Sequence, residues 1–239
     1  MEHEIIGHSK KAIKAMKSHD KPLNERVKEI IIEILIIVFA VSFAAFIERT
    51  REHYKEKAEA RDFVIGLKGD IKDEIDLLQG SARDMDTLRK NYGMVVKLKT
   101  AEIDSIQKKH ITGMFNIPTF NSRVVNGRYE GFKSSGKIQS IENDSLRNDI
   151  LKYYQQEIPL VDFTENIFNQ NQNRLEEMLI NSSDNIGNKP TDVIGTLTST
   201  KGKLIIYFSL GYSSAVSRHY NEAIKQAKKI EKEIEKEYE

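Results

Sequence analysis

The stretch IIIEILIIVFAVSFAAFIERT, Ile30 to Thr50, decides how the rest of the chain is read. From Ile30 to Ile47 its only charged residue is Glu33. As a helix rising about 1.5 Å per residue, that run covers about 27 Å, against about 30 Å of bilayer hydrocarbon. It reads as a single transmembrane helix over 30–47, with a polar, basic leader over 1–29 and an extramembrane domain over 48–239. The next apolar segment, LIIYFSLGYSSAV (Leu204 to Val216), is shorter and broken by serines and glycine, so a buried helix is expected there. Ser42 to Ala44 could serve as a signal-cleavage site. The long, glutamate-containing leader and the length of the apolar run favour an uncleaved anchor.

Orientation follows from the flanks. The leader carries Lys10, Lys11, Lys14, Lys17, Lys21, Arg26 and Lys28, and the other side carries Arg49, Arg51, Lys55, Lys57 and Arg61. The positive-inside rule leans toward a cytoplasmic N-terminus and an extracytoplasmic domain. Within the run, Glu33, Ile37, Ala40 and Ala44 are spaced by four, three and four, which places them on one helical face. Ala40 and Ala44 form a small-xxx-small pair that admits a second helix. Glu33 can be a residue reaching toward the headgroups, part of a helix–helix contact, or a proton carrier. Only Ser42 extends a polar path, so a packing or edge role is expected.

Composition limits the rest. Lys and Arg total 37 against 36 Asp and Glu, a balance that gives no general attraction for nucleic acid. Pro is only 4 and charged residues are 31%, which favours helices. Cysteine is absent, so disulfides, thiolate metal sites and cysteine nucleophiles are excluded.

Beyond the anchor, Ala60, Val64, Leu67, Ile71, Ile75 and Leu78 recur at helical spacing, and the row continues through Ala82, Met85, Leu88, Tyr92 and Val95. A long amphipathic helix is expected, softly broken near Gly80, with a short helix over 101–115 after it. The segment between Pro118 and Asn143 is irregular and marked by Gly127, Gly131 and Gly136. A helix then starts with Asn143 or Asp144 as its N-cap, before Leu146, Ile150 and Tyr153. Pro159 should kink or restart it. Its continuation is read through Phe163, Ile167, Leu175 and Met178, to a polar loop over 181–192. A last helix from about Leu204 carries Val216, Tyr220, Ala223, Ala227, Ile230 and Ile234. No strand alternation persists, so an all-α bundle on a membrane stalk is expected.

No catalytic set emerges. GFKSSGKI (Gly131 to Ile138) matches a phosphate-binding loop except that Ile138 stands where Ser or Thr should be, and no buried strand precedes it. His3, His8, His19, His53, His110 and His219 form no i,i+3 or i,i+4 pair, so no metal site or cofactor is expected. Asp70, Asp73 and Glu74 read as an outer charged face interleaved with Lys68 and Lys72.

Two stretches carry a resemblance. IEILIIVFAVSFAAFIERTRE (Ile32 to Glu52) resembles the anchor G-E-I-x-L-V-V-I-G-I-L-I-A-L-Q-I-N of a family of small single-pass bacterial membrane proteins of unknown function. The segment TF…SSGKIQSIENDSLRNDILKYY is similar to the same family's T-[YF]…S-S-G-x-x-x-x-I-x-N-x-x-L-R-x-x-I-x-x-Y-Y. Glu33 matches the anchor glutamate. Ser135, Gly136, Ile141, Asn143, Leu146, Arg147, Ile150, Tyr153 and Tyr154 match the second pattern. The family's anchor glycines are replaced by Ile32 and Ala40, and its tryptophan is missing. The resemblance implies an integral membrane protein with an α-helical domain, no established activity and a helix junction at Gly136.

The function expected is a non-enzymatic, membrane-anchored module for protein contacts. Its expected partners are the lipid bilayer, a second copy of the chain and an unidentified protein, with no nucleic acid. The alternative is a ligand-sensing domain whose pocket lies in the irregular segment around Phe120, Arg123, Arg128, Tyr129 and Lys133, with bases suited to an anion. A nucleotide-dependent enzyme using Lys137 stands third.

Overall fold

The computed structural model describes residues 23–99, 111, 115–182 and 193–238. The expected short helix over 101–115, most of the leader, most of the polar loop and four of the histidines (His3, His8, His19 and His110) therefore lie outside the described residues, apart from Ile111 and Phe115. Among the described residues there is no strand. The chain divides into two units, Met1–Glu59 and Ala60–Glu239. Helix α1 (Leu23–Lys97) carries residues of both.

In the first unit, α1 holds the one helical segment among the described residues that is long and apolar enough to cross a membrane. Its most apolar window has a mean hydropathy of 3.0, and none of it is buried. Phe39 and Phe43 stack at 5.9 Å, one turn apart. Glu33, Ile37, Ala40 and Ala44 are half-buried and share a face, while Leu35, Phe39 and Phe46 are exposed. Thr50 Oγ1 donates back to the Phe46 carbonyl at 2.8 Å, and Arg51 pairs with Glu48.

The second unit starts at Ala60, the first buried residue of α1. From there the apolar row read from the sequence is the core row: Val64, Leu67, Ile71, Leu78, Met85, Tyr92 and Val95 are buried. Gly80 causes no break, since α1 continues to Lys97. A mid-helix glycine costs only about 1 kcal/mol, and the buried row on both sides outweighs it.

The remaining elements are α2 (Gly127–Ser134), a 3-10 turn (Lys137–Ser140), α3 (Asp144–Lys152), a π turn (Tyr153–Glu157), α4 (Ile158–Asn181), α5 (Val193–Thr198) and α6 (Thr200–Tyr238). Gly136, with φ 76°, makes the left-handed step between α2 and the 3-10 turn. The Asn143 side chain accepts from the Leu146 N–H at 3.1 Å and caps α3. Pro159 sits in the first turn of α4, where its missing N–H and ring cannot continue an α ladder from Gln155. The chain accommodates it with the wider π turn and carries on.

Two readings of the sequence are corrected in α4 and α6. The buried face of α4 is Ile158, Val161, Thr164, Glu165, Phe168, Asn171, Gln172 and Leu175, while Phe163 is 61% exposed. Of the residues read from the spacing, Leu175 is buried, Ile167 and Met178 are half-buried, and Phe163 alone lies outside; the polar half of the buried face carried no apolar signal. Helix α6 begins at Thr200 rather than at Leu204, and LIIYFSLGYSSAV is buried on one side only. Ile206, Ser209, Ser213 and Val216 are inside, and Leu204, Tyr207 and Phe208 are outside. At its start, a Cβ on Gly202 would lie 2.3 Å from the Thr196 carbonyl oxygen, so only glycine lets α5 and α6 meet there. α4 packs extensively on α6.

Candidate functional site

Residues 115–126 form no regular secondary structure, so their buried backbone groups need partners outside any helix or sheet ladder. α4 supplies them. The Phe120 N–H donates to Asn169 Oδ1 at 2.9 Å, and Asn169 Nδ2 donates to the Phe120 carbonyl at 2.7 Å. One turn earlier on α4, Glu165 accepts the Ser122 N–H through both oxygens, at 3.1 and 3.0 Å. Tyr220 of α6 donates to Glu165 Oε1 at 2.5 Å. Burial first, and the Glu165 carboxylate next, push the Tyr220 hydroxyl pKa up. Gln172, two turns beyond Glu165, accepts from Tyr92 of α1 at 2.6 Å and donates to Ser209 of α6. The polar side of α4 therefore ties this segment, α1 and α6 together.

Two open grooves flank this segment. One, of about 470 Å³, is lined by Asn121, Arg123, Asp162, Asn166 and Asn169 among others. Burial raises the pKa of Asp162. The other, of about 440 Å³, is lined by Asp70, Asp73, Glu74, Leu77, Arg123, Val125 and Arg128. In it Arg128 Nε lies 2.7 Å from Asp70 Oδ2, its guanidinium over Gly66, where a Cβ would meet Nη1 at 2.4 Å. Glu74 is 4% exposed and accepts from the Tyr154 hydroxyl at 3.0 and 3.3 Å.

The residues singled out from the sequence scatter among these features. Arg123 and Arg128 share the second groove with three carboxylates, Asp70, Asp73 and Glu74. Tyr129 is 1% exposed and stacks on Tyr154 at 4.3 Å; it is a core residue and offers no ligand surface. Lys133 lies over the Tyr129 ring at 5.4 Å. The Asp70/Asp73/Glu74 cluster is not an outer face throughout, because Glu74 points into the core. Among the described residues no metal-holding group of His, Asp or Glu forms. His53 is exposed, and His219 is half-buried, 3.1 Å from Glu222.

The residues of the second pattern meet at the α2–α3 junction. Ser135 Oγ donates to the Phe132 carbonyl, and Arg147 donates to the Ile141 carbonyl and pairs with Asp144. Asn143 Nδ2 also donates to Glu237 of α6. Ile141, Leu146, Ile150, Tyr153 and Tyr154 are buried. Within GFKSSGKI, Gly131 to Ser134 are helical and Lys137 opens a 3-10 turn, a geometry unlike a loop between a strand and a helix.

Sequence reasoning missed Glu165, Asn169 and Gln172, and it also missed the pairing of Asp149 with Gln226 and Lys229 at 2.8 and 2.6 Å. The one available signal was the run of polar residues at helical spacing along α4.

No family model, curated protein or solved structure matches this chain.

Proposed function

We propose that the chain is a membrane-anchored, non-enzymatic helical bundle that presents a domain for protein contacts and self-associates through its anchor. The observation that carries this reading is the apolar segment of α1, with a mean hydropathy of 3.0 and no residue of that window buried. An uncovered apolar surface of this size is stable in lipid or against another apolar surface, and not in water. The face of Glu33, Ile37, Ala40 and Ala44 is the self-association surface in this reading, since small residues admit close approach. The resemblance to single-pass bacterial membrane proteins supports a location in the bacterial inner membrane, and the basic residues of the leader favour an extracytoplasmic domain.

The test is crosslinking of the full-length chain in native membranes, beside Glu33→Gln and Ala40→Leu, after alkaline carbonate extraction. Retention in the membrane and a defined oligomer weakened by both substitutions is the expected result. Release by carbonate removes the anchor, and a monomer in all three removes self-association.

The ligand-sensing alternative draws support from the two grooves. A set of small organic cations and anions that leaves thermal stability unchanged counts against it.

A further inference from the structure

The groove of about 470 Å³ is built from two elements that the fold holds in place. On α4, Asp162, Glu165, Asn166 and Asn169 recur at helical spacing, so one wall is a wholly polar stripe. The other wall is the 119–123 segment, pinned to that stripe at alternate residues. Asn169 holds the Phe120 backbone and Glu165 holds the Ser122 N–H. Phe120 and Ser122 are buried, whereas Asn121 and Arg123 between and beside them are exposed and line the groove. The free side chains of the groove thus stand on backbone that is already ordered, which lowers the cost of binding.

Its charges are sorted by wall. Asp162 and Glu165 lie one turn apart on α4, and Glu165 is only 3% exposed. Arg123 is the one basic residue of the lining. Among the described residues, none of these three forms an ion pair. Arg123 also lines the second groove, and it pairs with neither Asp73 nor Glu74 there. A carboxylate withdrawn from water gains from a positive partner, and none is supplied by the chain. Phe120 is the only apolar side chain in the lining, and the amides of Asn121 and Asn166 can both donate and accept. The volume suits a small molecule, and the lining suits a polar one.

We propose that this groove binds a small polar α-amino acid, with its ammonium group at Asp162 and Glu165 and its carboxylate at Arg123. A zwitterion matches both signs of charge at once. A simple anion would meet two carboxylates, and a simple cation would meet the guanidinium, so each leaves one wall opposed. Asn121 and Asn166 are placed to take the polar side chain. The inference rests on the ligand-sensing alternative and is independent of how the anchor assembles.

The test is isothermal titration of the full-length chain, in one mild detergent, with L-serine, L-asparagine, L-glutamine, L-aspartate and L-glutamate. Saturable binding of at least one is expected. Its N-acetyl and carboxamide derivatives, each lacking one charge, should bind about tenfold more weakly or worse. Arg123→Ala and Asp162→Asn should weaken binding as much; both residues are exposed, so the unfolding temperature should stay at the wild-type value. Arg128→Ala, in the other groove, should bind as the wild type does. Binding that survives the loss of either ligand charge, or either of the first two substitutions, overturns the site. Failure of all five amino acids also overturns it. If other small organic ions then bind, ligand sensing stands without this site; if none does, both fall.

Discussion

Tyr220 on α6 donates its hydroxyl to Glu165 on α4 at 2.5 Å, and the same carboxylate takes the Ser122 N–H through both oxygens. All three residues are buried, so the carboxylate is the only acceptor shown for the Ser122 N–H. Glu165→Ala leaves a buried N–H and a buried hydroxyl without that acceptor, at roughly 1–3 kcal/mol each. We expect a loss of about 2–5 kcal/mol in the unfolding free energy, read by denaturant titration in a fixed detergent. Glu165→Gln, which keeps an acceptor oxygen, should lose less. Equal losses would mean that the charge itself matters more than the bonds.

The two faces of α4 predict opposite outcomes for two phenylalanines. Phe168 is fully buried and meets Phe120 edge-on at 5.5 Å, whereas Phe163 is 61% exposed. Phe168→Ala should cost about 3–5 kcal/mol. Phe163→Ala should stay within about 0.5 kcal/mol. The reverse order, measured in the same unfolding assay, would turn the helix around.

Glycines give a second paired test. Alanine at Gly202 would place a methyl 2.3 Å from the Thr196 carbonyl, where backbone must move. We expect a destabilisation of about 1–3 kcal/mol, the usual range for overpacking. At Gly66 the obstacle is the end of the Arg128 side chain, which can swing away. Gly66→Ala should therefore be nearly neutral in stability and should break the Arg128–Asp70 contact. Double-mutant cycles with Asp70→Asn would read that loss as vanished coupling.

Stability should fall as pH rises through the range in which Glu74 titrates. Its folded pKa, about 7, lies above the ordinary 4.5. Below 4.5 both folded and unfolded chains hold the proton, and there is no difference. Above it the unfolded chain releases the proton first, so the folded state loses ground until about pH 7, by roughly 3 kcal/mol at most. Thermal unfolding of the wild type should drop across that window relative to Glu74→Gln. Parallel curves would show an ordinary carboxyl.

Asp149 should act in the opposite sense. Burial raises its pKa, but Lys229 and Gln226 more than offset that and hold it below the ordinary value. Its contribution is present above the ordinary carboxylate pKa and is lost as acid protonates the folded form. Asp149→Asn should flatten the acid limb of the stability profile and leave the limb above pH 5 unchanged.

Much of the helical order was legible in the chain itself. The rows from Ala60 to Val95 and from Val216 to Ile234 are apolar on one side only, and a helix that buries one side needs no tertiary information to be read. Gly136, Asn143 and Pro159 likewise act locally, through a left-handed step, a cap and a missing N–H. The buried face of α4 was read only in part, with Phe163 misplaced, for a matching reason. Its inward residues include Thr164, Glu165, Asn171 and Gln172, whose burial is tolerable only because partners distant in the sequence meet them.

The surroundings of Glu74 show the same division. By itself the sequence determined where the long apolar helical segment lies, that most of the other described residues are helical, and where several helices start and turn, because these depend on periodicity and on the backbone chemistry of single residues. Only the tertiary structure decided that Glu74 faces two tyrosines while Asp70 meets Arg128, and that Tyr129 is core rather than surface. Those outcomes depend on which side chains from far along the chain arrive to replace water, and a carboxylate has no fixed place until they do.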